Sequence, residues 1–90
     1  MKSVMVRIEG RVQGVGYRAW TEDEARRRGL SGWVRNRRDG AVEAQIAGED
    51  AVVEGMVEAM RHGPALARVI RVSVMPAPDP APGFHVSPTV

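Results

Sequence analysis

The sequence contains no cysteine, which excludes a disulfide framework and any thiolate metal site and leaves packing and hydrogen bonds to hold the fold. Aromatic residues are scarce, with two tryptophans, one tyrosine and one phenylalanine, too few for the stacking platforms on which proteins lay nucleic-acid bases. Nowhere do about eighteen apolar residues run together as a membrane-spanning helix requires. The opening Met1-Lys2-Ser3-Val4-Met5-Val6-Arg7 lacks the apolar core of a signal peptide. The expectations are a soluble, cytoplasmic protein with neither a nucleic-acid nor a membrane partner. Ninety residues are enough for one small core, so 1–90 reads as a single domain. A monomer is the simpler expectation, because no exposed apolar stripe stands out.

Lysine is nearly absent as well: Lys2 is the only one among thirteen basic residues, and the net charge is +2. Arginine binds oxyanions through two parallel donors, yet an arginine-rich chain also follows from coding bias. The triplet Arg26-Arg27-Arg28 resembles a basic patch, but each member stands four residues after Glu22, Asp23 and Glu24. On a helix that spacing makes three ion pairs oriented with the helix dipole. The triplet therefore reads as a solvated helix face.

What is present is clear periodicity. Val4, Val6 and Ile8 alternate with Met5, Arg7 and Glu9, the period of a strand with one buried face. Tyr17 to Arg28 reads as a helix closed by Gly29. Two extended runs follow, Gly32 to Arg38 and Ala41 to Ala47, joined by the turn pair Asp39-Gly40. Val53, Met56, Val57 and Met60 fall at i, i+3, i+4 and i+7 of an amphipathic helix over Asp50 to His62, stopped by Gly63-Pro64. Ile70, Val72 and Val74 alternate in another strand, Pro76 to Gly83 must be a loop, and Phe84 to Val86 suggests a short edge strand. Glu43 and Gln45 read as exposed strand residues, Trp20, Trp33 and Phe84 as packing, and His62 and His85 as surface histidines. The order is that of an α+β ferredoxin-like fold, a split βαβ unit (βαββαβ) whose antiparallel sheet carries two helices on one face and a short fifth edge strand.

Between the first strand and first helix lies Gly10-Arg-Val-Gln-Gly-Val-Gly-Tyr-Arg18. Gly14 and Gly16 permit left-handed backbone and close approach of a ligand, so that amides can converge on an anion. The following helix adds its free N–H groups, and Arg18 a fork of donors. A dinucleotide fingerprint also begins this way, but no ribose-binding acid stands about twenty residues on, where the chain has Trp33-Val34-Arg35; a Walker loop would need Gly-Lys-Ser/Thr. On their own these glycines serve equally as a tight turn or an anion cradle. The topology adds a partner, because strands one and two run parallel with strand three between them. The glycine loop and Asn36 then share one sheet edge, although Asn36 can also simply hydrogen-bond its neighbouring turn.

The two segments Gly10 to Arg18 and Gly32-Trp-Val-Arg-Asn36, the latter followed by Asp39-Gly40, closely resemble the paired signatures of the acylphosphatase family. The likeness continues through Gly63-Pro64 and Ala67-Arg-Val to Gly83-Phe84 and fails only in the proline-rich Pro76 to Pro82. It implies metal-independent hydrolysis of acyl phosphates to a carboxylate and inorganic phosphate, without a cofactor. By matching position, Arg18 would bind the phosphoryl group within a loop of Gln13, Gly14, Val15, Gly16, Tyr17 and Arg18, and Asn36 would orient the attacking water. Inorganic phosphate or sulfate would compete as anions. Tyr17 stands where the family often has phenylalanine, a departure expected to touch packing more than chemistry. No cluster of His, Asp or Glu has metal-ligand spacing. The competing classes are an RNA-binding module, a phosphate sensor without turnover, and a remnant of the related domain in larger carbamoyl-transfer proteins.

Overall fold

In a computed structural model that describes all 90 residues, the chain runs β1 (Lys2–Arg11), α1 (Tyr17–Arg27), β2 (Ser31–Asn36), β3 (Val42–Gly48), α2 (Asp50–Met60), β4 (Arg68–Pro76) and β5 (Phe84–Val86). The strands form one five-stranded sheet in the order β4-β1-β3-β2-β5. β3 is antiparallel to both β1 and β2, so those two point the same way and their C-terminal ends lie together. The ferredoxin-like arrangement expected from the order of elements is the one observed. The sheet is mixed, however, rather than wholly antiparallel, because β5 lies parallel to β2. No helix is long and apolar enough to cross a membrane.

Alternation places Val4, Val6 and Ile8 of β1 opposite Ile46, Ala44 and Val42 of β3, and all six are buried. α2 closes over them with Val53, Met56 and Met60. α1 buries Tyr17, Thr21 and Ala25, one residue per turn at i, i+4 and i+8, which is why its apolar stripe is faint in the sequence. Its solvent side carries the three expected pairs, Glu22 with Arg26 at 3.1 Å, Asp23 with Arg27 at 3.4 Å and Glu24 with Arg28 at 3.2 Å. Asp39 organises the β2–β3 turn, accepting from the Ala41 N–H at 3.0 Å and from Arg7 at 2.7 Å. Those two donors hold its carboxyl below the usual aspartate range.

Two local readings need correction. Ile70 does not share the inward face of Val72: the β1–β4 register shifts between Glu9 and Gly10, so that Val69 rather than Ile70 stands opposite Gly10. The bulge turns Ile70 outward, leaving it 83% exposed, and Val74 and Met75 are exposed beside it, so an apolar edge exists where none was expected. Gln45 is buried rather than exposed. It accepts from the Trp33 indole at 3.0 Å, and its amide nitrogen donates to Ser3 Oγ at 3.3 Å and to the Pro78 carbonyl. Glu43 is likewise half-buried, held by Arg35 at 2.7 Å.

Gln45 is covered because β4 and β5 lie on opposite edges of the sheet. The chain between them must cross four strand spacings, about 19 Å. Prolines at 76, 78, 80 and 82 favour the extended polyproline conformation, about 3.1 Å per residue, which suits such a strap. Its landing points are the Pro78 carbonyl on Ser3 and Gln45, and the Gly83 carbonyl, which accepts from Gly32 N–H at 2.9 Å.

Gly32 sits at φ 137°, and a Cβ there would overlap the Gln45 carbonyl. Gly55, inside α2, has only the flexible end of Arg28 near its position, at 3.2 Å. The same substitution should therefore act in opposite directions at the two sites. Gly32→Ala is expected to lower unfolding free energy by about 3 kcal/mol or more through forced backbone movement, and Gly55→Ala to raise it by about 0.5–1 kcal/mol. Urea titration of both variants against the parent measures this.

Candidate active site

The loop leaving β1 turns through two left-handed residues, Gly14 at φ 74° and Gly16 at φ 81°. Only glycine takes such angles without strain. Gly16 also caps α1, with no side-chain hydrogen bond. Consequently no backbone N–H from Gln13 to Ala19 donates to another backbone carbonyl; the first to do so is Trp20, to Gly16 at 3.0 Å. These unpaired donors, at the positive end of a helix, favour an anion.

The loop is held by Gln13, whose carboxamide nitrogen donates to the Arg37 carbonyl at 2.7 Å and the Ala41 carbonyl at 2.8 Å. Its side chain is thus committed to the β2–β3 turn, and only its backbone amide can face the cleft. Beside the loop is a cleft of about 360 Å³, walled in part by Gln13, Gly14, Gly16, Tyr17, Arg18 and Asn36. Five of the six residues expected to form the anion loop therefore meet there, together with Asn36. Val15 is half-buried against the core instead. Arg18 has no acidic partner within the chain, whereas Arg26, Arg27 and Arg28, between two and three turns further on, are all paired.

Asn36 closes β2. Its carbonyl accepts from the Val90 N–H at 3.2 Å, while the neighbouring Arg38 N–H donates to the Val90 carbonyl at 2.8 Å. With the Ser87 N–H donating to the Val34 carbonyl at 2.8 Å, the C-terminal residues clasp the backbone before and after Asn36. Its side-chain oxygen Oδ1 is buried and has no hydrogen-bond partner. Buried acceptors are nearly always satisfied, so an unpartnered one on a residue that lines the cleft is unusual. The alternative role for Asn36, hydrogen-bonding its own turn, is not seen for Oδ1.

The sequence reading missed Val12, Ala19, Glu22 and Val86, which also line the cleft. Glu22 was accounted for by its pair with Arg26; its spacing of four from Arg18 was the available signal. His62 and His85 are exposed and do not line the cleft. No group of three or more His, Cys, Asp or Glu side chains could hold a metal ion.

Comparison with known proteins identifies the family. The acylphosphatase family model matches residues 4–86. The chain belongs to the acylphosphatase family. It is 53% identical to an acylphosphatase of Rhodospirillum rubrum over the full length of both chains, and 58% identical to one of Azorhizobium caulinodans over 92% of this chain and 91% of the other. The crystal structure of acylphosphatase from Bacillus subtilis superposes with a TM-score of 0.92 at 35% identity, covering 97% of this chain and 99% of that one. The acylphosphatase reaction is hydrolysis of acyl phosphates, so this enzyme is a hydrolase acting on acid anhydrides, with a small phosphorylated molecule as substrate.

Tyr17 shows how the acylphosphatase loop is braced from beneath. Its ring is buried and packs tilted against Trp20 at 5.5 Å, and its hydroxyl donates to the Met60 carbonyl at 2.6 Å. Burial pushes the phenol well above its ordinary pKa, so it remains a donor at any working pH. The bond ties the start of α1 to the end of α2. Tyr17→Phe leaves a buried carbonyl without its donor and is expected to lower unfolding free energy by about 1–2 kcal/mol, measured by urea denaturation; unchanged stability would refute the tie.

Proposed function

We propose that this enzyme hydrolyses acyl phosphates without a metal ion, using the Gln13–Arg18 loop and Arg18 to hold the phosphoryl group and Asn36 to orient the attacking water, the 90 residues acting as one domain. The observation that carries this is the combination in one cleft of unpaired amides, an arginine without an acidic partner and the buried, unpartnered Oδ1 of Asn36. An anion is matched by the first two, and a polarised hydrogen-bond donor such as water by the third.

The chemistry asks little covalent work of the protein, because phosphoryl transfer depends mainly on positioning and charge stabilisation. The water oxygen bonds to phosphorus as the bond from phosphorus to the acyl oxygen breaks, and the carboxylate departs with that electron pair. A carboxylate leaves without protonation. With both histidines outside the cleft, the water's proton passes to a nonbridging phosphate oxygen, and the amides and Arg18 stabilise charge on the equatorial oxygens. Asn36 Oδ1 accepts a hydrogen bond from the water and aims its lone pair at phosphorus. Inorganic phosphate, the product, competes for the same amides, and sulfate imitates it.

Benzoyl phosphate hydrolysis at neutral pH in EDTA is expected to proceed undiminished in the parent. Arg18→Gln should reduce kcat/KM by about 10²- to 10³-fold or more, as loss of a preorganised donor does. Near-parent turnover by that variant would overturn the assignment. Asn36→Ala separates orientation from anchoring: kcat should fall by about 10²-fold while the inhibition constant of inorganic phosphate stays within about twofold of the parent. Equal losses in both would instead make Asn36 an anchor.

A further inference from the structure

Glu22 is the one acidic side chain that lines the cleft. It follows Arg18 by four positions within α1, a rise of about 6 Å along the same helix face. The cleft therefore has a cationic end at the glycine loop and an anionic wall one turn further along. The rest of that wall is small and apolar, with Ala19 and Val86.

The carboxylate is held there from behind. Arg26 pairs with Glu22 at 3.1 Å and also donates to the Phe84 carbonyl of β5 at 3.1 Å. The Arg26 side chain is 60% exposed, against 29% for Glu22, and it does not line the cleft. Glu24, the other partly covered acid of α1, has the same kind of exposed arginine partners but does not line the cleft, so it is position rather than exposure that singles out Glu22. Here the anion faces the cleft and the cation faces away, braced on the neighbouring strand.

With the phosphoryl group at the loop, Ala19, Glu22 and Val86 bound the part of the cleft left for the acyl group. We propose that Glu22 is a specificity-determining residue: it selects acyl phosphates whose acyl group is neutral or cationic and disfavours those carrying a second negative charge. This rests on the reading of the loop and Arg18 as the phosphoryl site. A distal carboxylate or phosphate on the acyl group would be brought against a like charge in a cleft where the walls exclude part of the screening solvent. A neutral ring meets only the apolar part of the wall, and an ammonium group gains a partner.

A matched pair of substrates, benzoyl phosphate and 4-carboxybenzoyl phosphate, reads this directly. The measured quantity is the ratio of kcat/KM for the carboxylated substrate to that for the plain one. The parent should disfavour the carboxylated substrate, with the ratio rising at higher salt as screening increases. Glu22→Gln should raise the ratio by about three- to tenfold, and Arg26→Gln, which removes the compensating cation, should lower it. A folding defect or a general loss of activity moves both substrates together and leaves the ratio alone. An unchanged ratio in Glu22→Gln, or shifts of the same sign in both variants, overturns the role of Glu22 while hydrolysis still depends on Arg18. Full activity of Arg18→Gln on both substrates would overturn the phosphoryl site and this inference together.

Discussion

The site hangs on the Gln13 carboxamide. Its two donations to the Arg37 and Ala41 carbonyls fasten the glycine loop, which ends β1, to the turn that follows β2. Each contact alone is an ordinary hydrogen bond worth about 1 kcal/mol. Together they set the distance between a loop with no internal backbone bonds and the strand end that carries Asn36. The loop can leave its amides unpaired because its anchorage is a side chain rather than its own backbone. The parallel course of β1 and β2 on either side of β3 makes that anchorage possible.

The far end of the sheet is organised by a second carboxamide. Gln45 joins Trp33, Ser3 and the Pro78 carbonyl, so the proline strap is fixed where it crosses from β4 toward β5. β5 then lies beside β2, and the residues after it run on to the end of that strand, where Val90 bonds the Asn36 carbonyl and the Arg38 N–H. A constraint at the end of the molecule remote from the cleft thus continues along the edge strand into the site. The same edge contributes Val86 to the cleft wall and the Phe84 carbonyl that braces Arg26.

What could be read from the residues alone was what is local. The period of two in Val4, Val6 and Ile8, the period of 3.6 in Val53, Met56 and Met60, and the left-handed glycines before α1 all express short-range backbone and burial preferences. The ion pairs of α1 were legible for the same reason, since helix geometry alone sets residues four apart side by side. The misreadings arose where a distant segment intervened. Ile70 follows the alternation of its strand, but a bulge in its pairing with β1 reverses its face. Gln45 has the composition of a solvated strand position, yet a strap arriving from thirty residues away buries it.

Sequence by itself determined the elements, their order and the chemical groups available: a glycine loop leading into a helix, an arginine at that helix's first turn, an asparagine at a strand's end. Whether those groups form a site was decided by tertiary structure. Arg18 and Asn36 belong to different elements and meet only because β3 inserts between two parallel strands. Oδ1 of Asn36 is a buried acceptor without a partner only in the folded chain. Glu22 shows the limit most plainly: its pair with Arg26 follows from spacing of four on a helix, but which member faces the cleft depends on β5, placed there by the crossing of the sheet. Local propensity acts through neighbours in the chain, and a site is made of neighbours in space.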